Sequence, residues 1–298
     1  MDHKKTWKAF SARREAAYYS IIFAALNANM LAAYAAVEDA DEDDLVHLAT
    51  VAITSTQLSN TLIAILLSVG ADWGVISKRF TNRAHNIKDP VTAEQIRKEM
   101  LSWAQKTAQR NAELSVITQK KQIQTIYDEG VKNGLSIEQI KQNIKNNKYT
   151  STQAIIISRL SVTSGASRGT LSAAAVSPYM HTKTWWSRAD ERVRDPRNGW
   201  YLRHFGEYPD FTHREVHGQT IHTDTPFWDT LGYIMFPGDP DADPGNIINC
   251  RCWMITNFVI GPDGKPVLKK IAGLNANQSR SITVIHPNEI IRPTTITF

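Results

Sequence analysis

Cysteine is scarce in this chain: among 298 residues only Cys250 and Cys252 occur, one residue apart. A disulfide between such close neighbours would be a tight, strained ring. The pair therefore excludes a disulfide-stapled framework and fits reduced thiols in a cytosolic setting. Long hydrophobic runs are also missing. The strongest, Leu62 to Val69, falls short of the roughly 20 apolar residues that a bilayer span needs, and Thr54, Ser55, Thr56, Gln57, Ser59 and Asn60 precede it. A buried core helix is expected there, and no membrane partner. The first twenty residues lack an apolar core followed by a small-residue cleavage site, so no secretory signal is expected. Neither charge sign dominates: the formal net charge is +5, with 42% hydrophobic and 21% charged residues, as in an ordinary globular protein.

Charge is nevertheless unevenly placed. Lys4, Lys5, Lys8, Arg13 and Arg14 crowd the start, and six acids fall between Glu38 and Asp44. From Lys78 to Lys148 there are fourteen Lys or Arg against seven acids, which makes double-stranded DNA a candidate partner. The competing reading is a solvated helix face.

Apolar residues at helical spacing predict helices over 4–37, 45–72, 92–130 and 151–176. Thr92 is the expected cap of the third, with Glu94 in its first turn. Gly134 should end that helix, and Ser136 with Gln139 should form a capping box for a short helix after it. No alternating strand pattern and no internal repeat occur in the first 180 residues. At Lys183 the character changes to aromatics, histidines, prolines and glycines, which predicts short strands and turns. The expected class is α+β, in three parts: a helical region over 1–180 supplying an assembly surface, a small mixed domain over 181–262, and an extended β-prone arm over 263–298.

The densest punctuation lies from Phe236 to Cys252, FPGDPDADPGNIINCRC, with three prolines, two glycines and five Asp or Asn. Such a stretch must be a fixed, irregular loop. Pro237-Gly238-Asp239-Pro240 reads as a type I or II turn followed by an Asx turn. Upstream stand Lys183 and Trp185, then Asp190, Arg192 and Arg194, then His213, His217 and Gly218. Downstream stand Asn249, Cys250, Arg251 and Cys252.

This ordered series, K-x-W, D-x-R-x-R, H-x-x-x-x-G, an aromatic, P-G-D-P and N-C-R-C, resembles the phage head morphogenesis family, known as the phage Mu F-like domain. The resemblance covers about residues 150 to 255. A helical Ala-Arg-Thr-Glu of the family corresponds to Ile157-Ser158-Arg159-Leu160-Ser161, which keeps the arginine and lacks the acid. The resemblance implies a minor capsid protein of a tailed bacteriophage or prophage, found in the virion and, during assembly, in the host cytoplasm. It would associate with the portal protein, and its further candidate partners are the scaffold, the major capsid protein and packaged DNA.

The same residues carry chemical alternatives. His213, His217, Cys250 and Cys252 are candidate zinc ligands, since two His at i and i+4 meet on one helical face and paired thiolates suit that ion. The alternative is two small buried thiols flanking Arg251. Asp190, Arg192 and Arg194 alternate, so on a strand they share one face. There they would brace Arg251 or Arg214, or bind a phosphate or a catalytic water. A rival function is a phage-delivered, metal-dependent nuclease or transferase, which would need His213, His217 and Asp239 in one pocket.

Overall fold

The computed structural model describes residues 2–188, 203, 206, 213–269, 282–284 and 294–296. Helix α1 runs His3–Ala36, and a 3-10 turn at Glu42–Asp44 leads into α2, Leu45–Val51. Then come α3, Thr56–His85; α4, Ala93–Lys132; α5, Ile137–Lys145; and α6, Tyr149–Val176. The strands are β1, His181–Trp186; β2, Thr220–His222; β3, Phe227–Asp229; and β4, Gly232–Ile234. A one-turn helix α7, Pro244–Ile247, precedes β5, Trp253–Phe258, and β6, Ile282–Val284, pairs with β7, Thr294–Ile296. The class is α+β with a helical N-terminal region.

Local rules explain the helix ends. Thr92 caps α4: its Oγ1 accepts from the Gln95 N–H at 3.2 Å, and Gln95 Oε1 accepts from the Thr92 N–H at 2.9 Å. Glu94 lies in the first turn as expected, and Gln95 completes the reciprocal capping pair. Gly134 takes φ +66°, and the Leu135 N–H reaches back to the Gly130 carbonyl, which closes the helix C-terminus. Ser136 and Gln139 then form the expected capping box of α5. The helix expected over 45–72 is interrupted. Residues 52–55 break it, and the carbonyl of Thr54 accepts from Asn29 Nδ2 at 3.0 Å instead of a helical amide.

Contacts divide the chain into two compact units. One comprises Met1–Phe10, Leu67–Met100 and Thr163–Phe298, and the other Ser11–Leu66 and Leu101–Val162. Composition placed a boundary at 180; the contacts instead gather the strands with helical segments from three parts of the chain. The physical reason is that a sheet this small must bury a face on helices.

In the all-helical unit, Met30, Ala33, Val37, Leu45, Ala49, Ile53, Ile123, Ile140 and Ile144 form one apolar core. Beside it lies a polar lock. Asn29 Nδ2 donates to Gln119 Oε1 at 2.9 Å, and Gln119 Nε2 donates to the Leu26 carbonyl at 2.8 Å, with Gln119 fully buried. Arg159, whose local motif lacks its acid, reaches Glu15 of α1 at 3.5 Å.

The other unit centres on an antiparallel sheet in the order β2-β1-β5. Its registers include Lys183 opposite Ile221 and Thr256, and Trp185 opposite Met254. Beyond residue 262 the chain turns at Gly261–Lys265 and runs back along the sheet, where the Val267 N–H bonds to the Val259 carbonyl and the Met180 N–H to the Val267 carbonyl. The sheet layer therefore extends past the expected end of the domain. Trp7 packs edge-on to Trp73 at 4.8 Å and stacks on Trp253 at 6.2 Å, so the first turns of α1 belong to this core. Helices α3 and α6 meet here backbone to backbone through Gly70, Gly74, Gly165 and Gly169.

By length and composition, His3–Ala36 and Glu42–His85 are long and apolar enough to cross a membrane, and 39% and 50% of their apolar windows are buried in the fold. The basic stretch from 78 to 148 is only partly a solvated face. Lys78 and Lys141 are buried, the latter donating to the Glu38 carbonyl at 3.0 Å and to Glu138 at 3.2 Å.

Candidate metal centre

The loop after β4 is built from its own sequence. Pro237 and Gly238 occupy the middle of a turn closed by the Asp239 N–H on the Phe236 carbonyl, and Gly238 takes φ +77°. That is a type II turn, with proline and glycine where the geometry requires them. A side chain at 238 would also press on the Ser164 backbone nitrogen at 3.0 Å. Asp239 then holds the loop from inside, accepting from the Met235 N–H at 2.9 Å and the Asp241 N–H at 3.1 Å. Burial pushes its carboxyl above the usual range, against the pull of these two amides. After Pro240, Asp243 caps α7 by accepting from the Gly245 N–H at 2.7 Å, with Pro244 at the first helical position.

Asn249 turns the chain out of α7 in the left-handed conformation, φ +59°, which asparagine tolerates. The next carbonyls are pinned: Thr163 Oγ1 donates to that of Cys250 at 3.0 Å, and the Trp7 indole N–H to that of Arg251 at 3.2 Å. Residues two apart on an extended chain share a side. Accordingly, both buried sulfurs meet His213: its Nδ1 lies 3.3 Å from Cys252 Sγ and 3.7 Å from Cys250 Sγ. The possible ligand atoms of His213, Cys250 and Cys252 all lie within 4.8 Å of one another. This group can hold a metal ion.

The thiolate that a metal needs is favoured at one of the two sulfurs. The Cys250 thiol is held well below its ordinary value by its hydrogen bond with Cys252 and by His213, against the cost of burial. Cys252 is pushed up by burial and by its neighbour sulfur. Burial alone would lower His213, but the Cys250 sulfur and the bonds to Cys250 and Asn246 raise it. Trp185 packs its edge on the imidazole at 5.2 Å.

The other sequence candidates are placed elsewhere. His217 does not join the group: its Nδ1 accepts from the Ser187 N–H at 3.0 Å, and its ring packs edge-on to Trp186. The i, i+4 spacing to His213 fails as a ligand signal because 213–218 is a series of turns ending at Gly218, φ +82°, and not a helix. The Gly218 N–H bonds to the Trp185 carbonyl at 2.8 Å, tying this turn to β1. Lys183 is fully buried; its ammonium donates to the Met235 carbonyl at 2.8 Å and sits over the Phe227 ring. Burial brings its pKa down to about 8. His213, His217 and Asp239, which the nuclease reading needs together, each serve a different partner. Asp190, Arg192 and Arg194 lie outside the described residues, and with them the proposed brace to Arg251 or Arg214.

Two residues of the site carried no sequence signal as site members. Asn246 Oδ1 lies 3.3 Å from His213 Nε2, and Asn246 Nδ2 donates to Asp229 Oδ1 at 3.1 Å. A second buried polar group, also unforeseen, joins Lys78 to Asp89 as an ion pair, with Ser177 bonded to Asp89. Lys78 Nζ also lies 2.8 Å from His181 Nε2. No protein-family model matches this chain, and no curated protein or solved structure matches it.

Proposed function

We propose that this chain is a minor head protein of a tailed bacteriophage or prophage, acting at the portal vertex during procapsid assembly, and that its strand-bearing module is organised by zinc. The observation that carries the reading is convergence. The motif residues Lys183, Trp185, His213, Gly218, Pro237, Gly238, Asp239, Cys250 and Cys252 are far apart in sequence, yet they support one another. Lys183 and Asp239 both grip Met235, Gly218 bonds to Trp185, and Trp185 packs on His213 against the two sulfurs. A motif set that builds one rigid scaffold, with its polar groups spent on the scaffold itself, suits an assembly module better than a catalyst.

Zinc fits the donor set, one imidazole and two thiolates, with the fourth position left to another ligand. When bound, it would crosslink the turn at His213 to the Cys250–Cys252 segment and hold the thiols deprotonated. The chain's own residues supply the rest: Thr163 and Trp7 fix the backbone of the cysteines, and Trp185 limits water at the imidazole. On this reading the portal protein is the main partner. Scaffold or major capsid protein and double-stranded DNA are candidate further partners, and the site of action is the virion head or portal vertex.

The test is co-expression with the portal protein encoded in the same genome, followed by sedimentation of the portal ring. The expected result is co-sedimentation that weakens in Cys250→Ser. A ring that sediments without the chain, together with metal-dependent DNA cleavage lost in His213→Ala, would replace the assembly reading by the nuclease one.

A further inference from the structure

We propose that Asp229 and Asn246 are positioning residues for a metal ion, forming with His213 a relay that makes Nδ1 the metal-facing nitrogen; this rests on the metal reading above and deepens it. Asp229 is fully buried, at 0% exposure, at the end of β3 where the chain turns into β4. Its Oδ1 accepts from the Leu231 N–H at 2.9 Å and from Asn246 Nδ2 at 3.1 Å, while its Oδ2 is buried with no hydrogen-bond partner. Asn246, 1% exposed on α7, is oriented by that bond, because a carboxylate oxygen accepts only from the amide nitrogen. Its carbonyl oxygen is left facing His213 Nε2 at 3.3 Å.

An amide carbonyl only accepts, so Nε2 must carry a proton. A metal binds only the neutral imidazole, which has one N–H; with that proton on Nε2 the lone pair is on Nδ1, the nitrogen beside Cys252 Sγ and Cys250 Sγ. A lone pair and two sulfurs aimed at one point make a donor set, and the relay behind it ends in a negative charge. Burying a carboxylate is costly unless a cation compensates it. A metal ion on the far side of the imidazole supplies that compensation through the polarised chain of hydrogen bonds, as carboxylates behind metal-bound histidines do. The amide between them transmits the field while keeping the carboxylate off the ring.

The experiment uses the full chain with ¹⁵N-labelled histidine, titrated with ¹¹³Cd²⁺ as a zinc probe and compared with Asn246→Ala and Asp229→Asn. In the wild-type protein we expect one-bond coupling between cadmium and Nδ1 of His213, and a slowly exchanging Nε2 proton. In each variant cadmium should bind about 10- to 100-fold more weakly, and the Nε2 proton should exchange fast. Circular dichroism checks that the variants fold. Coupling to Nε2, or unchanged affinity in both folded variants, overturns the relay. Failure of the wild-type chain to bind cadmium or zinc overturns the metal reading itself, a result distinct from any difference among variants.

Discussion

The backbones of Gly70 and Gly169 touch so closely that a Cβ added to Gly169 would sit 2.0 Å from the Gly70 carbonyl oxygen. Gly74 repeats the contact one turn along, where a Cβ would meet the Gly169 carbonyl oxygen at 2.7 Å. Neither neighbour is a flexible side chain, so a methyl group forces α3 and α6 apart. Gly169→Ala should cost roughly 1–3 kcal/mol or more, read as a fall in the denaturation midpoint. An unchanged midpoint would mean that the crossing is looser than this.

Metal content separates the ligands from their neighbours. The purified chain should carry one zinc, lost in His213→Ala, Cys250→Ser and Cys252→Ser and kept in His217→Ala, because His217 is engaged by Ser187 and Trp186. Elemental analysis of the four variants decides it, and loss of zinc in His217→Ala would show that the ligand set is wrongly assigned.

The buried pair Lys78–Asp89 should be intolerant of half-removal. Asp89→Asn leaves a buried ammonium beside Phe258 without its counter-charge, at a cost of roughly 3–5 kcal/mol. Chemical denaturation measures it. The double variant Lys78→Met/Asp89→Leu should recover much of the loss, since both charges then disappear together.

Acid should act through His181. Burial first, and then the Lys78 charge, depress its pKa from 6.5 to about 3. Between those values the unfolded chain binds the extra proton and the folded chain does not. The stability this group contributes is thus present above pH 6.5 and lost progressively as pH falls toward 3. His181→Asn should flatten that part of the stability–pH curve. A slope identical to wild type would place the acid sensitivity elsewhere.

Much of the architecture was legible because it follows local rules. The capping box at Ser136 and Gln139, the helix stop at Gly134 and the Pro237–Gly238 turn each depend on a few neighbouring residues, and each is found. What was hidden depends on distance in sequence. Nothing in the first turns of α1 announces that Trp7 will stack on Trp253, and the break at 52–55 follows from Asn29, which claims the Thr54 carbonyl. For the site, Cys250, Cys252 and His213 stood out by residue type. Asp229 and Asn246 did not, because an aspartate before a turn and an asparagine after Pro-Gly look like turn formers. His217 misled for the converse reason: its spacing is meaningful only on a helix, and Gly218 ends any such continuation.

The partnership of Trp7 with Trp253 also bears on how the protein is made. Its sheet-bearing unit draws on residues 1–10, 67–100 and 163–298, so Trp7 is made well over two hundred residues before the Trp253 it stacks on. Contacts this distant close slowly, and the Trp7 face that Trp253 covers stays open meanwhile. Synthesis arrested before Cys250 would leave Trp7 without Trp253 and both candidate sulfur ligands unmade, so such fragments should be chaperone clients and should not accumulate as folded intermediates.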